Sequence, residues 1–491
     1  MDEIQPIETV REISHKALKG SKWVFLSTIL SKTFQFITTI ILARLLLPAD
    51  FGIIAISQII MGVVSLFQDV GMTQALMQRK GDLKESADTV FIFNIFWSLI
   101  LYIAIFITAP YLSSFFKNNE AAIVLRVLCL SFLFQPFNII SNAFIKKEFY
   151  FKRLFNITLW PIILSSLASI VLASLGFGVW ALVLGILMGN LLITVLGWLS
   201  ISWRPAFKFN KMIAKDMLNL GGAISIQNII IWFENTFDDI LVGRRLGTSL
   251  LGVYRLGFSI AVMPATQIAG PINDVVYSIF VRLQDDKKEL KRFFLYIIKY
   301  VSLITFPIGA FLFATAPIFI TTVLGEKWRE AIPVVQFVSV YGTIGSITFV
   351  IPTLCRAVGR PKLFLKYLII LLIVIVPVFA YAVPYGLKAI SFVHFVMAIL
   401  FLPYNLSIGM HLLDIRPTEI INSLKMSIII SVVLGVFIYI AVCLLQFSLL
   451  INLLIIIISS ALLYAALIYL VSKDTFMEFL KFLKISLAKE A

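Results

Sequence analysis

The sequence predicts an all-α polytopic membrane protein with about fourteen transmembrane helices. Hydrophobic residues make up 60% of the 491-residue chain, and its mean hydropathy is +0.99. The apolar runs are continuous and reach the roughly 20 residues that a membrane-spanning helix needs. Transmembrane β-strands would instead alternate apolar and polar residues. Length, continuity and overall hydropathy therefore favour helices, whose backbone hydrogen bonds are satisfied internally.

The net charge of +15 comes from lysines and arginines that gather in alternate loops. A nucleic-acid-binding protein would present them on one surface. Alternation is typical of cytoplasmic loops under the positive-inside rule. We therefore expect no nucleic-acid partner, contacts with anionic membrane lipids, and both termini in the cytoplasm. The basic loops are Arg79-Lys80, Lys146-Lys147, Lys152-Arg153, Arg204 to Lys215, Lys287 to Arg292, and Arg356 to Lys362.

Catalytic and metal-binding patterns are missing from the sequence. The three cysteines, Cys129, Cys355 and Cys443, lie in or at the ends of apolar runs and form no CxxC pair. There is no glycine-rich phosphate loop, and the loops predicted outside are too short to carry a catalytic domain. The sequence thus predicts a transporter rather than an enzyme, with no catalytic residue, no cofactor and no metal site.

An internal repeat relates the two halves of the chain. A shift of 200 residues places Arg44 on Arg244 and Gly52 on Gly252, and a shift of 208 places Gly178 on Gly386. Six predicted spans precede the second copy, so it enters the membrane in the same orientation. Repeats of this kind are related by an axis along the membrane normal. We expect two six-helix lobes facing a central cavity.

The repeat also divides the chain into segments. We predict a cytoplasmic lead-in, an N-lobe of helices 1–6, a basic cytoplasmic linker, a C-lobe of helices 7–12, two additional helices and a cytoplasmic tail. The boundaries are 1–20, 21–201, 202–216, 217–411, 412–471 and 472–491. Within the C-lobe, the seventh span is predicted at Met217–Leu246 and the eighth at Leu251–Val281, where Pro264 and Pro271 predict a kink.

The segment Asn235–Phe258 concentrates charge in an otherwise apolar region. It holds two acids, Asp238 and Asp239, and three arginines, Arg244, Arg245 and Arg255. Charge at membrane depth is costly and is usually kept for function. In a continuous helix Glu234 would share a face with Asp238, since the two are four residues apart.

Four further ionisable residues lie within predicted spans. Lys32 is about ten residues into the first span, near mid-membrane, and we expect it to face a cavity; the alternative is snorkelling to the surface. Asp69 and Asp274 lie near the inner ends of their spans. His394 could titrate near neutral pH, but a lone buried histidine more often has a structural role, and that is the expectation here.

Three stretches together resemble one known family. They are LARLLLPADFGIIAIS with LFQDVGMTQALMQRK, then AFIKKEFYFKRL, then DDILVGRRLGTSLLGVYRLGF with PINDVVYSIFVRLQDD. In this order they resemble the polysaccharide exporters of the MOP superfamily, the Wzx-type flippases of lipopolysaccharide biosynthesis, and most closely the WzxC-like subgroup. The resemblance covers nearly all of residues 18–410. It implies the MOP flippase fold, the bacterial cytoplasmic membrane, and a polyprenyl-pyrophosphate-linked oligosaccharide as substrate.

The resemblance gives the polar residues provisional roles. A pyrophosphate needs fixed cations, and the alternative for the arginines is contact with lipid head groups. The candidate substrate-binding residues, for pyrophosphate and glycan, are Lys32, Gln35, Arg44, Asn228, Asn235, Thr236, Arg244, Arg245 and Arg255. The candidate ion-coupling residues, for Na⁺ or H⁺, are Glu234, Asp238, Asp239 and Asp274.

Two other functions remain open at this point. A multidrug or cation antiporter of the same superfamily would share the fold, although the 230–286 stretch favours the polysaccharide branch. A passive lipid scramblase would tolerate the loss of Glu234 and Asp238, whereas a coupled exporter would not. The sequence identifies neither the sugar nor the coupling ion, and it leaves open whether a glycan polymerase is a further partner.

Overall fold

A computed structural model of the chain describes residues 10–68, 83–147, 150–206, 208–211, 228–445 and 447–471. These residues are mostly helical and contain no β-strand. Twelve helical stretches among them are long and apolar enough to cross a membrane. The prediction of an all-α polytopic membrane protein is confirmed.

We number the helices in chain order. The first seven are α1 (Val10–Leu45), α2 (Pro48–Gln68), α3 (Leu83–Phe115), α4 (Glu120–Leu128), α5 (Gln135–Lys147), α6 (Phe151–Ser174) and α7 (Val179–Leu199). The next five are α8 (Phe237–Arg245), α9 (Thr248–Ala261), α10 (Gly270–Leu283), α11 (Lys287–Phe319) and α12 (Ile332–Thr348). The last five are α13 (Val350–Ala357), α14 (Pro361–Ala382), α15 (Leu387–Leu413), α16 (Pro417–Leu444) and α17 (Leu449–Val471).

The predicted seventh and eighth spans are not among the twelve. The seventh is helical at 228–234 and again in α8, while residues 212–227 lie outside the described part of the chain. The eighth is interrupted after Ala261, where α9 ends, and a π-helical turn, Ala265–Ala269, precedes α10. Proline removes a backbone donor and interrupts the helical ladder. The interruption lies around Pro264, as the sequence predicts, and the kink itself stays a prediction.

The internal repeat predicted the same backbone geometry in both halves. Helix α1 ends at Leu45 and α2 begins at Pro48, and 200 residues later α8 ends at Arg245 and α9 begins at Thr248. The backbone amide after each first helix closes it in the same way, Leu46 to Leu42 and Leu246 to Val242, both at 2.8 Å. The two hairpins therefore have the same register, as the repeat predicts.

The described chain forms two compact units that divide between Trp232 and Phe233. In unit one, α6 packs between α1 and α7, and α2 packs on α4. Its core holds an aromatic cluster in which the rings of Phe91 and Phe137 lie 5.6 and 5.1 Å from Trp198. Edge and offset contacts of this kind add about 0.5–1.5 kcal/mol each to the burial of the rings.

Unit two is built around α11, which packs against α12 and α16, while α12 also packs against α9 and α15. The first turn of α11 is capped by Asp286, whose carboxylate accepts from the amides of Lys288 and Glu289 at 3.0 and 3.1 Å. Helix α17 contributes the hydroxyl of Tyr464, which donates to the Leu303 carbonyl at 2.6 Å. The two C-terminal helices are thus integral to this unit.

The segments predicted to link the lobes and to form the tail are partly outside the described residues. The linker prediction, 202–216, is non-helical over 202–206 and 208–210. Asp88 holds it by accepting from the Ala206 amide at 3.0 Å. The predicted lead-in is described only from Val10, and the tail, 472–491, lies outside the described residues. These boundaries stay predictions.

Candidate functional site

Three buried polar side chains of unit two meet in one cluster, which we call the triad: Asp238 on α8, Tyr254 on α9 and His394 on α15. The Tyr254 hydroxyl lies 2.6 Å from Oδ2 of Asp238 and 2.7 Å from Nε2 of His394. The same Nε2 lies 3.2 Å from the same Oδ2. Asp238 and His394 are each 4% exposed, and Tyr254 is fully buried. Buried polar groups are stable only when paired in this way.

A local break in the helix places Asp238 in the triad. The helical segment 228–234 stops at a turn formed by Asn235 and Thr236, and α8 starts afresh at Phe237. Asp238 therefore occupies the first turn of a new helix, where the helix dipole favours a negative charge. The expectation that Glu234 and Asp238 share one helix face assumed a continuous helix, and the turn at Asn235 and Thr236 interrupts that helix.

A second buried pair lies one residue along the same helices. Arg255 donates to Oδ2 of Asp239 at 2.7 Å, and Asp239 is 3% exposed. Both Asp238–Tyr254 and Asp239–Arg255 are 16 residues apart. The turn between α8 and α9 sets this register through Gly247, whose φ of +92° is a conformation that glycine adopts without strain.

Aromatic rings enclose the imidazole of His394. The ring centroids of Phe379, Tyr341 and Phe258 lie 4.6, 4.9 and 5.4 Å from that of His394. Its Nδ1 atom is buried and has no hydrogen-bond partner among the described residues. Water is thus excluded from most of the ring, and the electrostatic interactions within the triad are strengthened.

One arrangement of hydrogens, with the histidine proton on Nε2, is compatible with all three contacts of the triad. Nε2 of His394 faces two oxygens, of Tyr254 and Asp238, so a hydrogen on Nε2 satisfies both contacts. The Tyr254 hydroxyl then donates to Asp238, and its oxygen accepts from His394. In this arrangement Nδ1 of His394 is the atom left to take a further proton. Protonation at Nδ1 would change the net charge of the triad from −1 to zero.

Comparison with known proteins identifies the family. Residues 41–333, which include α8 and α9, match the family described as polysaccharide biosynthesis protein. The chain belongs to this family. Lipopolysaccharide biosynthesis protein WzxC of Escherichia coli (strain K12) is 24% identical over 357 residues, covering 72% of this chain and 73% of WzxC. The predicted resemblance to Wzx-type exporters is confirmed.

Two solved structures share the fold. Lipid II flippase MurJ, in an inward closed conformation, has a TM-score of 0.73 at 15% identity, covering 93% of this chain and 99% of MurJ. An inward-facing multidrug resistance MATE family transporter of the MOP superfamily has a TM-score of 0.59 at 20% identity, covering 80% of this chain and 98% of that transporter. The predicted MOP fold is confirmed.

In this member of the polysaccharide biosynthesis family, the other predicted acids lie near the triad or outside the described atoms. Glu234 is partly buried and interacts electrostatically with Asp238 and with the hydroxyls of Tyr341 and Tyr367. The side chain of Asp274 lies outside the described residues, as does the whole of Asp69. The structure thus brings Glu234 and Asp238 into one electrostatic neighbourhood, with Asp239 beside them.

The predicted substrate-binding residues are mostly exposed. Lys32 and Arg44 lie on α1, and Arg244 and Arg245 lie on α8. Arg255, on α9, differs from these four cations because it forms an ion pair with Asp239. Lys32, Gln35, Arg44, Asn228, Asn235 and Arg245 are exposed, Arg244 is partly buried and Thr236 is buried. The charge of Arg255 balances a buried carboxylate, and a role of Arg255 toward pyrophosphate stays a prediction.

The repeat shows that the triad is confined to the second half of the chain. Shifts of 200 and 208 residues place Thr38 at the position of Asp238, Ile54 at that of Tyr254 and Ile186 at that of His394. None of these residues is ionisable. The two halves share a fold but differ in their buried chemistry.

Sequence reasoning found Asp238 but missed both of its partners. His394 was expected to be structural, and Tyr254 drew no attention as one of 15 tyrosines. A feature of the sequence points to each of these two residues. His394 is one of three histidines in the sequence and lies in the middle of an apolar run, and Tyr254 has the same spacing to Asp238 that Arg255 has to Asp239.

Proposed function

We propose that the protein is a flippase for a polyprenyl-pyrophosphate-linked oligosaccharide. It moves this substrate from the inner to the outer leaflet of the bacterial cytoplasmic membrane by alternating access. Membership of the polysaccharide biosynthesis family over residues 41–333 carries the proposal. The substrate fits such a family, because a growing polysaccharide needs its lipid-linked units delivered across the membrane. The protein would act as a transporter, with both termini in the cytoplasm.

We assign the coupling site to the triad and the coupling ion to a proton. Oδ2 of Asp238 is occupied by two hydrogen-bond donors, and one of the neighbouring atoms is an imidazole nitrogen. Hard cations such as Na⁺ prefer a shell of oxygen ligands, whereas an imidazole takes up a proton. Proton binding at His394 removes the net negative charge of a buried cluster, a change large enough to favour a different conformation.

Charged neighbours on the adjoining elements affect this step. Asp239 is on the same helix and is neutralised by Arg255, while Glu234 adds negative charge. Tyr341, on α12, faces the imidazole with an ionisable hydroxyl. Asp239 and Arg255 balance each other's charge, and Asp238 is the carboxylate in direct contact with the imidazole.

Lysine and arginine side chains stay the candidate ligands of the pyrophosphate. Arginine binds phosphate oxygens in a bidentate manner. The candidates are Lys32, Arg44, Arg244, Arg245 and Arg255.

The test uses proteoliposomes and a fluorescent polyprenyl-pyrophosphate oligosaccharide. Leaflet transfer is followed with a proton gradient, with a Na⁺ gradient and with neither, for the wild type and for Glu234→Gln/Asp238→Asn. We expect transfer that depends on the proton gradient and is lost in the double variant. Equal transfer in every condition indicates a passive scramblase. Export of a cationic dye without glycolipid transfer indicates a multidrug antiporter.

A further inference from the structure

Unit one contains a cavity of about 310 Å³ among its membrane-spanning helices, lined by carboxamides, hydroxyls and apolar side chains. It lies between α2, the turn that follows α4, α5 and α7. Its lining residues are Gln58, Met61, Gly62, Ser65, Gln68, Leu128, Ser131, Phe132, Gln135, Asn138, Ile186 and Asn190. The set contains five carboxamides and two hydroxyls, and none of these described lining residues is charged. All five carboxamides belong to predicted spans, where polar groups are costly and therefore point to function.

Two of the carboxamides are held in place by neighbouring groups. Gln68 is 4% exposed and donates to the Phe132 carbonyl at 3.3 Å. The Thr194 hydroxyl lies 3.0 Å from the amide oxygen of Asn138 and 2.8 Å from the Asn190 carbonyl, and its one hydrogen is shared between these two acceptors. Fixed orientations of this kind reduce the entropy lost when a ligand binds.

An indole ring adjoins the cavity wall. A Cβ atom on Gly62 would lie 2.5 Å from Nε1 of Trp232, so the absence of a side chain at this glycine makes room for the ring. Trp232 belongs to unit one. An indole offers an apolar face together with one N–H donor. Such a ring suits a ligand that has both C–H faces and polar groups.

The chemistry of the lining selects the ligand class. A carboxamide offers two donors and one acceptor, and a sugar hydroxyl both donates and accepts, so the two groups pair in several orientations. An anion would call for arginine or lysine, and a cation for carboxylates. The volume is at the small end of ligand-binding cavities, which span about 300–1,000 Å³. A neutral sugar ring satisfies all three constraints.

We propose that this cavity is a binding subsite for one neutral sugar of the lipid-linked glycan. The proposal rests on the proposed flippase function and adds to it a division of roles between the two units. Position 186, which the repeat aligns with His394, is an isoleucine that lines the cavity. Unit one recognises the sugar through neutral amides, while unit two holds the ionisable triad.

Equilibrium binding by purified protein tests the subsite. The probes are polyprenyl pyrophosphates that carry one glucose, one galactose or one N-acetylglucosamine, and the same lipid without sugar. We compare the wild type with Gln135→Leu, Asn190→Leu and the double variant. Asn156→Leu, an exposed carboxamide on α6 outside the cavity, is the matched control.

The wild type should bind at least one glycosylated probe about 10-fold more tightly than the bare lipid. Each leucine variant should reduce that preference by about 5- to 10-fold, because the sugar loses a hydrogen-bond partner. The control should keep the full preference. Gln135 is exposed at the start of α5, so its variant folds even where a change at Asn190 proves disruptive.

Two results would overturn the subsite. One is a wild type that binds no glycosylated probe more tightly than the bare lipid, and the other is a sugar preference that survives unchanged in the Gln135→Leu variant. The binding assay tests the sugar subsite, and the transfer assay tests the flippase function. A protein that binds the sugar through these residues but moves no glycolipid in vesicles supports the subsite and contradicts the flippase.

Discussion

Substitution of Tyr254 by phenylalanine is the most informative test of the triad. The change removes one oxygen and leaves the ring, which is fully buried and packs 5.8 Å from Phe258. Asp238 then loses its 2.6 Å donor, while His394 at 3.2 Å remains as a partner. A hydrogen bond to a charged group contributes about 1.5–3 kcal/mol, so we expect a loss of about 2 kcal/mol in the stability of unit two.

The cysteines of the chain allow this loss to be measured in unit two alone. Cys355 is buried in unit two, Cys129 is buried in unit one, and Cys443 is exposed. In a Cys129→Ala/Cys443→Ser background, a thiol-reactive fluorophore labels Cys355 only when unit two opens. Thermal labelling curves should move to lower temperature for Tyr254→Phe.

Tyr439→Phe is the matched control for Tyr254→Phe. Tyr439 is 66% exposed on α16, so Tyr439→Phe makes the same chemical change without breaking a buried contact and should leave the labelling curve in place. If Tyr254→Phe left the curve as unchanged as the control does, Asp238 would not depend on the hydroxyl, and the proposed hydrogen-bond arrangement would be wrong.

Three further predictions follow from other contacts. Arg255→Met should destabilise unit two in the same labelling assay by more than Arg255→Met/Asp239→Asn does, because the single change leaves a buried carboxylate unpaired. A hydrogen bond from Lys287 lowers the pKa of the Asp414 carboxyl. This contact therefore stabilises the folded state above the usual aspartate pKa of about 3.9, and the stabilisation is lost as the pH falls through the lowered pKa. Hydrogen-exchange protection at the start of α16 should decrease in acid, and Asp414→Asn should lack that decrease. Thr194→Val should reduce the sugar preference about threefold without loss of folding, since it removes the hydroxyl that contacts the Asn138 amide in the cavity. An unchanged sugar preference would show that Thr194 does not position this amide.

The fold could be predicted from the sequence because its signals are local. Continuous apolar runs predicted the spans, and the positions of Gly52 and Gly252 predicted that both halves carry the same hairpin. The break before α8 could not be predicted in this way. Asn235 and Thr236 are compatible with a helix interior in a membrane, and their turn depends on the packing of unit two.

The candidate site could be predicted only in part. Asp238 and Asp239 stand out because charge is rare in an apolar run. Their partners do not: His394 is 140 residues from Tyr254 in the chain, and no pattern in either segment points to the other. The amides of the unit-one cavity were missed for a related reason. Neutral residues such as Gln58 and Asn190 carry no charge signal, and only the packing of four elements brings them together.

The two units differ in their buried ionisable groups, and this difference bears on how glycolipid transport is coupled to protons. Unit two holds a cluster whose net charge changes by one when a proton binds at His394, whereas the matching positions of unit one, Thr38, Ile54 and Ile186, cannot titrate. A ligand or ion moves a conformational equilibrium only through its different affinity for the two states. Under our proposal the proton supplies that difference in unit two, and the glycolipid supplies it through unit one.

Under our proposal, proton binding at the triad is coupled to glycolipid transfer. The direct measurement is simultaneous recording of glycolipid transfer and internal pH in proteoliposomes that contain a trapped pH dye. For the wild type, adding the substrate should start a proton flux that rises in proportion to transfer, and Asp238→Asn should abolish both. Full glycolipid transfer without any proton flux, or a flux unchanged in Asp238→Asn, would contradict the account.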